Sequence, residues 1–395
     1  MKMMEKRLLG AIDGMKEEII ELLSDLVKAK SVNPPGDTRN ASHVLINKLR
    51  EFELEPEVAY IDEDKPNLIA RINPGNRPQL VFNSHIDTVP PGDPSQWKYD
   101  PFTAVIEEGR MYGRGVADAK ASVVAMIMAA KAIMESGMEL KGTMVVNPVS
   151  DEEVGGFKGT KFLLDKGQLN PDFVVIGEQT DNQIAIVEKG IMWINIKTFG
   201  RTAHASTPWE GVNAIEKMVK LLNMIQEKIG SKLKAMGHPM TPPPSMNIGT
   251  IQGGVKTNVV PDTCEVNIDR RLLPEETPEE AQKQISEVID KIRRSDPDFK
   301  AELKVLLTGS PINTSPDEHI VKIAQSVNKE LGLSAELVGY KQASDGRFFA
   351  ERGIPTIIIG PSDPKVGHTP DEHVNLDDVV MTTKIYALTA VRTLT

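Results

Sequence analysis

At 395 residues with 40% hydrophobic content, the chain can bury two domain-sized cores, and its one cysteine, Cys264, excludes any intrachain disulfide. The formal net charge of -10 argues against nucleic acid or an anionic membrane as partner and toward small-molecule chemistry. The N-terminal MKMMEKRLLGAIDG has no sustained apolar core or cleavage pattern, and the longest uncharged apolar run, 121–130, is too short to span a bilayer; with reduced cysteine this predicts a cytoplasmic protein.

In chain order, apolar residues at helical spacing predict a helix over 15–30, ended by Pro34-Pro35, and another over 41–52. Short apolar runs at 57–61, 67–72 and 80–82 read as strands. A Pro- and Gly-rich loop, 90–101, leads to MYGRGVADAKAS and an almost wholly apolar helix, 121–134, with Asp118 at its start. Strand 143–149, helix 159–164 and strand 173–176 then alternate, the pattern of an α/β sheet with parallel strands.

From 190 to 309 the rhythm changes to strand 191–199, helix 212–229, strands 246–251 and 264–270, helix 278–294 and strand 302–307. That β-α-β-β-α-β order predicts an inserted ferredoxin-like domain. Helix 318–331, strand 335–338, helix 345–351, strand 356–359 and helix 376–393 resume the α/β pattern. Residues 1–189 and 310–395 are thus expected to form an α/β/α catalytic domain, and 190–309 a lid. Cys264 reads as a small buried strand residue, and the methionines of the helices as core.

Chemistry concentrates at QLVFNSHIDTVP, 79–90, where His85 and Asp87 stand two apart at the end of an apolar run and project to the same side of a strand. A carboxylate beside a ligating histidine orients the ring, so the pair reads as a metal ligand with its partner. Asp118, Glu152, Glu153, Glu178 and His368 likewise follow apolar strands or begin a helix. In open α/β sheets the ligand crevice lies at the carboxyl ends of the strands, which would bring these residues together. So many carboxylates in one cleft call for cations: two Zn²⁺ balance three ligating carboxylates and one hydroxide. Asp118 is the expected bridge, and of the adjacent Glu152 and Glu153 one can ligate while the other takes a proton. Gly113-x-Gly115 resembles a dinucleotide fingerprint only superficially, because Asp118 stands where the third glycine belongs.

The motifs SHIDTVP, GRGVADAK, SDEEVGG, VIGEQT, GRTAHASTPWEGVNAI, TNVVPD, SDGRFF and GHTPDEHV together resemble the metallopeptidase and deacylase family of acetylornithine deacetylase, succinyl-diaminopimelate desuccinylase, aminoacylase and glutamate carboxypeptidase. The resemblance runs through nearly the whole chain. It implies His85, Asp118 and Glu178 on one zinc and Asp118, Glu153 and His368 on the other, with Glu152 as general base, Asp87 as the partner of His85, and a cis peptide after Asp118. Co²⁺ or Mn²⁺ are possible substitutes for zinc. It also implies that His204 supports the oxyanion from the partner subunit of a homodimer built through the lid, and that Asn258 lies near the reacting group. Arg271 and Arg347 look like binders of a substrate carboxylate, with Arg270 an equal chemical candidate beside Arg271. His373 is not expected to ligate, and His43, His238 and His319 read as surface residues.

The expectation is a metal-dependent hydrolase that cleaves the amide of an N-acyl amino acid by a zinc-bridged water, with a carboxypeptidase or dipeptidase as the alternative. Lys341-Gln342-Ala343 departs from the Gly- and Thr-rich run of succinyl-diaminopimelate desuccinylases, which leaves the acyl group open. A non-catalytic metal-binding protein would not need a free glutamate beside a ligand, and a nucleotide-dependent oxidoreductase would need the fingerprint that Asp118 breaks.

Overall fold

The computed structural model describes residues 3–395, which form two compact units. The first runs from the N-terminus to Ile186 and includes Thr314–Val338 and Ser344–Thr395; the second comprises Val187–Asn313 and Gly339–Ala343.

Four parallel strands make the middle of the first unit's sheet, in the spatial order Thr143–Val149, Gln79–His85, Phe173–Ile176 and Thr356–Ile358. Strands lying antiparallel flank them: Asn67–Ile72 against Thr143–Val149, Glu57–Ala59 outside it, and Ile184–Glu188 against Thr356–Ile358 through Ala185. The sheet is therefore mixed where the sequence predicts parallel strands. Residues 73–78 and 177–183 are too short to hold the helical crossover that a parallel return needs. The central strands are buried nearly throughout, as is the helix Ala121–Ser136, which explains why its sequence is apolar on every side. The helices Met3–Gly14 and Leu376–Leu394 pack on it.

Several described elements escape the sequence reading. The helix Met3–Gly14 buries only Glu5, Leu8 and Ile12, too sparse a stripe to stand out. Strand Ile184–Glu188 is buried along its length but short. A small sheet of Val105–Glu107, Arg110–Tyr112 and His373–Asn375 joins the segment before Asp118 to the segment after His368.

In the second unit an antiparallel sheet has the strand order Ser245–Gly253, Thr263–Leu272, Gly190–Phe199, Lys300–Gly309. With the helices Ala214–Ile225 and Pro278–Ser295 this is the β-α-β-β-α-β arrangement. Alternate strand residues, among them Ile194, Ile196, Cys264, Val266 and Ile268, join Leu221, Ile285 and Ile289 in its core. Thr277 and Glu280 form a capping box at the start of the second helix, with Pro278 in the first turn. The edge strand Ser245–Gly253 has one hydrogen-bonded neighbour and is exposed over most of its length.

Candidate metal centre

His85, Glu152, Glu153, Glu178 and His368 lie just at or beyond the carboxyl ends of the parallel strands. His85 ends the strand Gln79–His85 opposite Val149, so Glu152 and Glu153, just past Val149, arrive beside it. Glu178 follows Phe173–Ile176, and His368 lies in the loop beyond Thr356–Ile358. Asp118 sits in a non-helical turn ahead of the apolar helix, and its peptide bond to Ala119 is cis.

Among the described residues two groups could each hold a metal ion: His85, Asp118 and Glu178, and Asp118, Glu153 and His368, with the ligand atoms of each group within 4.8 Å of one another. Asp118 belongs to both. Its Oδ1 lies 3.0 Å from His85 Nε2 and its Oδ2 3.1 Å from His368 Nε2. Glu178 Oε1 stands 3.5 Å from His85 Nε2, and Glu153 Oε2 3.2 Å from His368 Nε2. The loop must come close to achieve this: a Cβ on Gly367 would stand 3.1 Å from Asp118 Oδ2.

The donor set fits a divalent cation. His85 Nδ1 lies 2.9 Å from the Asp87 backbone carbonyl, which can only accept, so that nitrogen carries the proton. In the neutral ring Nε2 then turns a bare lone pair on the Asp118 carboxylate, a pairing that a cation or a second proton must resolve. Without a cation, the second proton is favoured. Burial pulls the His85 pKa down, but the charge of Glu178 and hydrogen bonds to Asp118 and Asp87 hold it well above its usual value. Hydrogen bonding to Asp118 and Glu153 raises His368 to about 10. Burial would lift Asp118, yet the two histidines hold it below the usual carboxylate range. Nitrogen and oxygen ligands without thiolate suit Zn²⁺, and Mn²⁺ or Co²⁺ as well.

The carboxylate of Asp87 lies 3.7 Å from His85 Nδ1, and the same residue's carbonyl makes the closer contact. It also accepts from the backbone N–H groups of Glu152 and Glu153, at 3.2 and 3.3 Å, and from Asn33 Nδ2 at 2.8 Å. Asp87 therefore holds the turn on which the adjacent glutamates diverge. Glu153 turns to His368, whereas burial raises the Glu152 carboxyl well above the ordinary range, with His85 opposing and Asp345, Glu178 and Glu153 adding to the rise.

Arg347 is nearly buried, its guanidinium donating to the Gly155 carbonyl at 2.8 Å, lying 3.9 Å from Asp345 and over the Phe348 ring. His373 places Nδ1 on the Asp371 carbonyl at 2.8 Å and its ring against Tyr112, away from both groups. His43 and His319 are exposed, but His238 is half-buried, because its Nδ1 accepts the Met240 N–H and its Nε2 approaches Glu275.

The remaining site residues belong to the second unit. His204 is exposed, and its Nδ1 accepts the Ser206 N–H at 3.2 Å, which leaves the ring proton on Nε2 facing outward. The Asn258 side chain is exposed while its carbonyl accepts the Ala205 N–H. Arg271 is held in a fork by Asp269, at 2.9 and 3.2 Å. Arg270 is 1% exposed and paired with Glu276, so of the two neighbours only Arg271 presents a guanidinium to solvent.

Four participants were not singled out in the sequence: Asn33, Arg114, Asp345 and Glu372. Glu372 stands in the GHTPDEH run and Arg114 in GRGVADAK, so the motifs were visible without the contacts. Glu372 is fully buried, and burial pushes its carboxyl up to about 7 while Arg114 pulls it down.

The comparisons agree with this geometry. The model of peptidase family M20/M25/M40 matches residues 81–392. A succinyl-diaminopimelate desuccinylase of Hydrogenovibrio crunogenus is 29% identical over 391 residues, covering 95% of this chain and 99% of the relative. An acetylornithine deacetylase of Pectobacterium carotovorum is 31% identical over 373 residues, covering 90% and 92%. A tripeptidase from Staphylococcus aureus superposes with a TM-score of 0.76 at 25% identity, over 95% of this chain and 99% of that one. With a family match over most of its length and two clusters of side chains that could hold metal ions sharing one aspartate, the chain belongs to the hydrolases of peptidase family M20/M25/M40.

Proposed function

We propose that this hydrolase is a di-zinc deacylase that cleaves the amide bond of an N-acyl amino acid. The observation that carries the reading is the shared Asp118 with Glu152 beside it, a pair of metal groups next to a carboxyl that belongs to neither. Divalent ions held there would polarise the scissile carbonyl and acidify water, which is the chemistry amide hydrolysis needs. His85, Asp118 and Glu178 would hold one ion, and Asp118, Glu153 and His368 the other. Glu152 takes a proton from the attacking water and returns it to the leaving amine, as a buried carboxyl outside both ligand groups can do. Asp87 keeps the Glu152 turn in place. Arg347 is the proposed binder of a substrate carboxylate, with Arg271 a second candidate, and His204 and Asn258 are proposed to assist the oxyanion.

The deacetylase and desuccinylase relatives support an acyl amino acid substrate. The tripeptidase neighbour favours a second reading, hydrolysis of a short peptide with the same machinery. Initial rates on a panel of N-acetyl and N-succinyl amino acids, dipeptides and tripeptides, with Zn²⁺, Co²⁺ or Mn²⁺ added, decide between them. Turnover of peptides with none on N-acyl amino acids would replace the first reading by the second.

The assembly we infer is a homodimer through the second unit, supported by the exposed edge strand Ser245–Gly253, which a copy of itself could extend across a two-fold axis. In such a dimer His204 serves the site of the partner subunit.

A further inference from the structure

Glu372 has no exposure and lies four residues beyond His368 on one loop. Its carboxylate accepts from Arg114 Nη1 at 2.5 Å and from the backbone N–H groups of Gly115 at 3.1 Å, Ala117 at 2.9 Å and Asp118 at 3.1 Å. Its own carbonyl accepts the Gly113 N–H at 2.9 Å. Arg114 is 2% exposed and stacked over Trp97. One buried anion thus gathers the whole turn that presents Asp118, from the loop that presents His368. Every side-chain contact it makes here is with a donor, so the surroundings are built for the ionised form.

We propose that Glu372 is a positioning residue of the metal centre: it registers the 113–118 turn against the 366–373 loop, and the group of Asp118, Glu153 and His368 depends on it more than the group of His85, Asp118 and Glu178 does. The inference rests on the metal-dependent reading above. The asymmetry follows from what holds each ligand. His85 ends a strand paired on both sides, and Glu178 stands two residues past another such strand. His368 comes from a loop, with a left-handed φ of 61° and a side chain 53% exposed. Glu372→Gln would keep the volume but replace one acceptor oxygen by an NH₂ facing donors, leaving unpaired either Arg114 with the Gly115 N–H or the Ala117 and Asp118 N–H groups.

The test is a Zn²⁺ titration of chelator-treated full-length protein by calorimetry, repeated with Co²⁺ to read each site by its electronic spectrum. Wild type should take two ions. Glu372→Gln should keep one at close to the wild-type affinity and bind the other at least tenfold more weakly, with an altered Co²⁺ spectrum for that ion alone. Should Glu372→Gln fail to fold, Arg114→Lys carries the same test, because it keeps a cation over Glu372 while losing the guanidinium geometry; the same ion should weaken. Wild-type affinities for both ions, or equal weakening of both, would overturn the proposal. Fewer than two ions on the wild-type protein would instead overturn the metal-dependent reading itself.

Discussion

The carboxylate of Asp87 accepts the backbone N–H of Glu152 at 3.2 Å, and Glu152 is thereby held from below by a residue 65 positions earlier in the chain. This contact separates two roles that adjacent glutamates cannot share. Replacing Asp87 by alanine leaves the part-buried N–H groups at 152 and 153 without that acceptor, a cost of about 1 kcal/mol in stability. Turnover should fall about ten- to a hundredfold, the usual effect of removing such an outer partner. Thermal unfolding and steady-state kinetics on one preparation measure both; unchanged kcat would mean that the turn holds Glu152 without Asp87.

Glu152→Gln should retain both ions and lose turnover about a hundred- to ten-thousandfold, because it removes a proton acceptor and no ligand. His85→Ala and His368→Ala should instead lose metal. Elemental analysis alongside rates distinguishes the cases, and loss of one ion from Glu152→Gln would exchange the assigned roles of Glu152 and Glu153.

The histidines make metal binding and stability depend on pH in opposite senses. With its metal stripped, the folded protein holds His368 at about 10 against 6.5 for an unperturbed ring. A raised pKa contributes stability that is fully present below about 6.5 and is lost as pH rises through 10. His85 is raised as well and acts in the same direction. Metal must displace those protons, so affinity falls with falling pH. Metal-stripped protein should therefore lose melting temperature from pH 6.5 upward, while the gain in melting temperature on adding Zn²⁺ grows over the same range. A gain that shrinks with pH would contradict the ligand assignment.

Amidating the α-carboxylate of the substrate should lower kcat/KM by about tenfold or more, since a charge-assisted hydrogen bond to Arg271 or Arg347 contributes roughly 1.5 to 3 kcal/mol. Arg271→Ala should erase most of that preference. Arg347→Ala should do so and also loosen the turn at Gly155, whose carbonyl it holds, so its kcat should fall further than that of Arg271→Ala. Equal rates on acid and amide would remove both arginines from substrate recognition.

Mixing inactive His204→Ala with inactive Glu152→Ala protomers should restore one working site per heterodimer, if His204 acts in the partner. Subunit exchange without recovered activity would return His204 to its own chain's site or remove it from the chemistry.

Much of the candidate site was legible because its residues mark boundaries. His85, Glu153 and Glu178 each follow a run of buried strand residues, and that break in hydropathy shows in a single sequence. Asp87 shows why legibility stops there: the His-x-Asp spacing brings the two side chains together, but which oxygen meets the ring depends on the backbone turn at 152–153, contributed by another strand. Glu372 was invisible for a related reason, since three of its four donors are main-chain N–H groups that carry no residue identity. The fold followed the same pattern. Long amphipathic or wholly apolar segments announced themselves, whereas the helix Met3–Gly14, the short strand Ile184–Glu188 and the reversal of Asn67–Ile72 depend on neighbours distant in sequence.

The insertion of the second unit between Ile186 and Thr314 has a consequence in time as well as in space. During synthesis His85, Asp118 and Glu178 all emerge before that unit, and Glu153 with them, but His368 follows it. A growing chain can thus complete one set of candidate ligands while its second unit is still being made. The other set is complete only when the last segment threads back to pair Thr356–Ile358 with Phe173–Ile176.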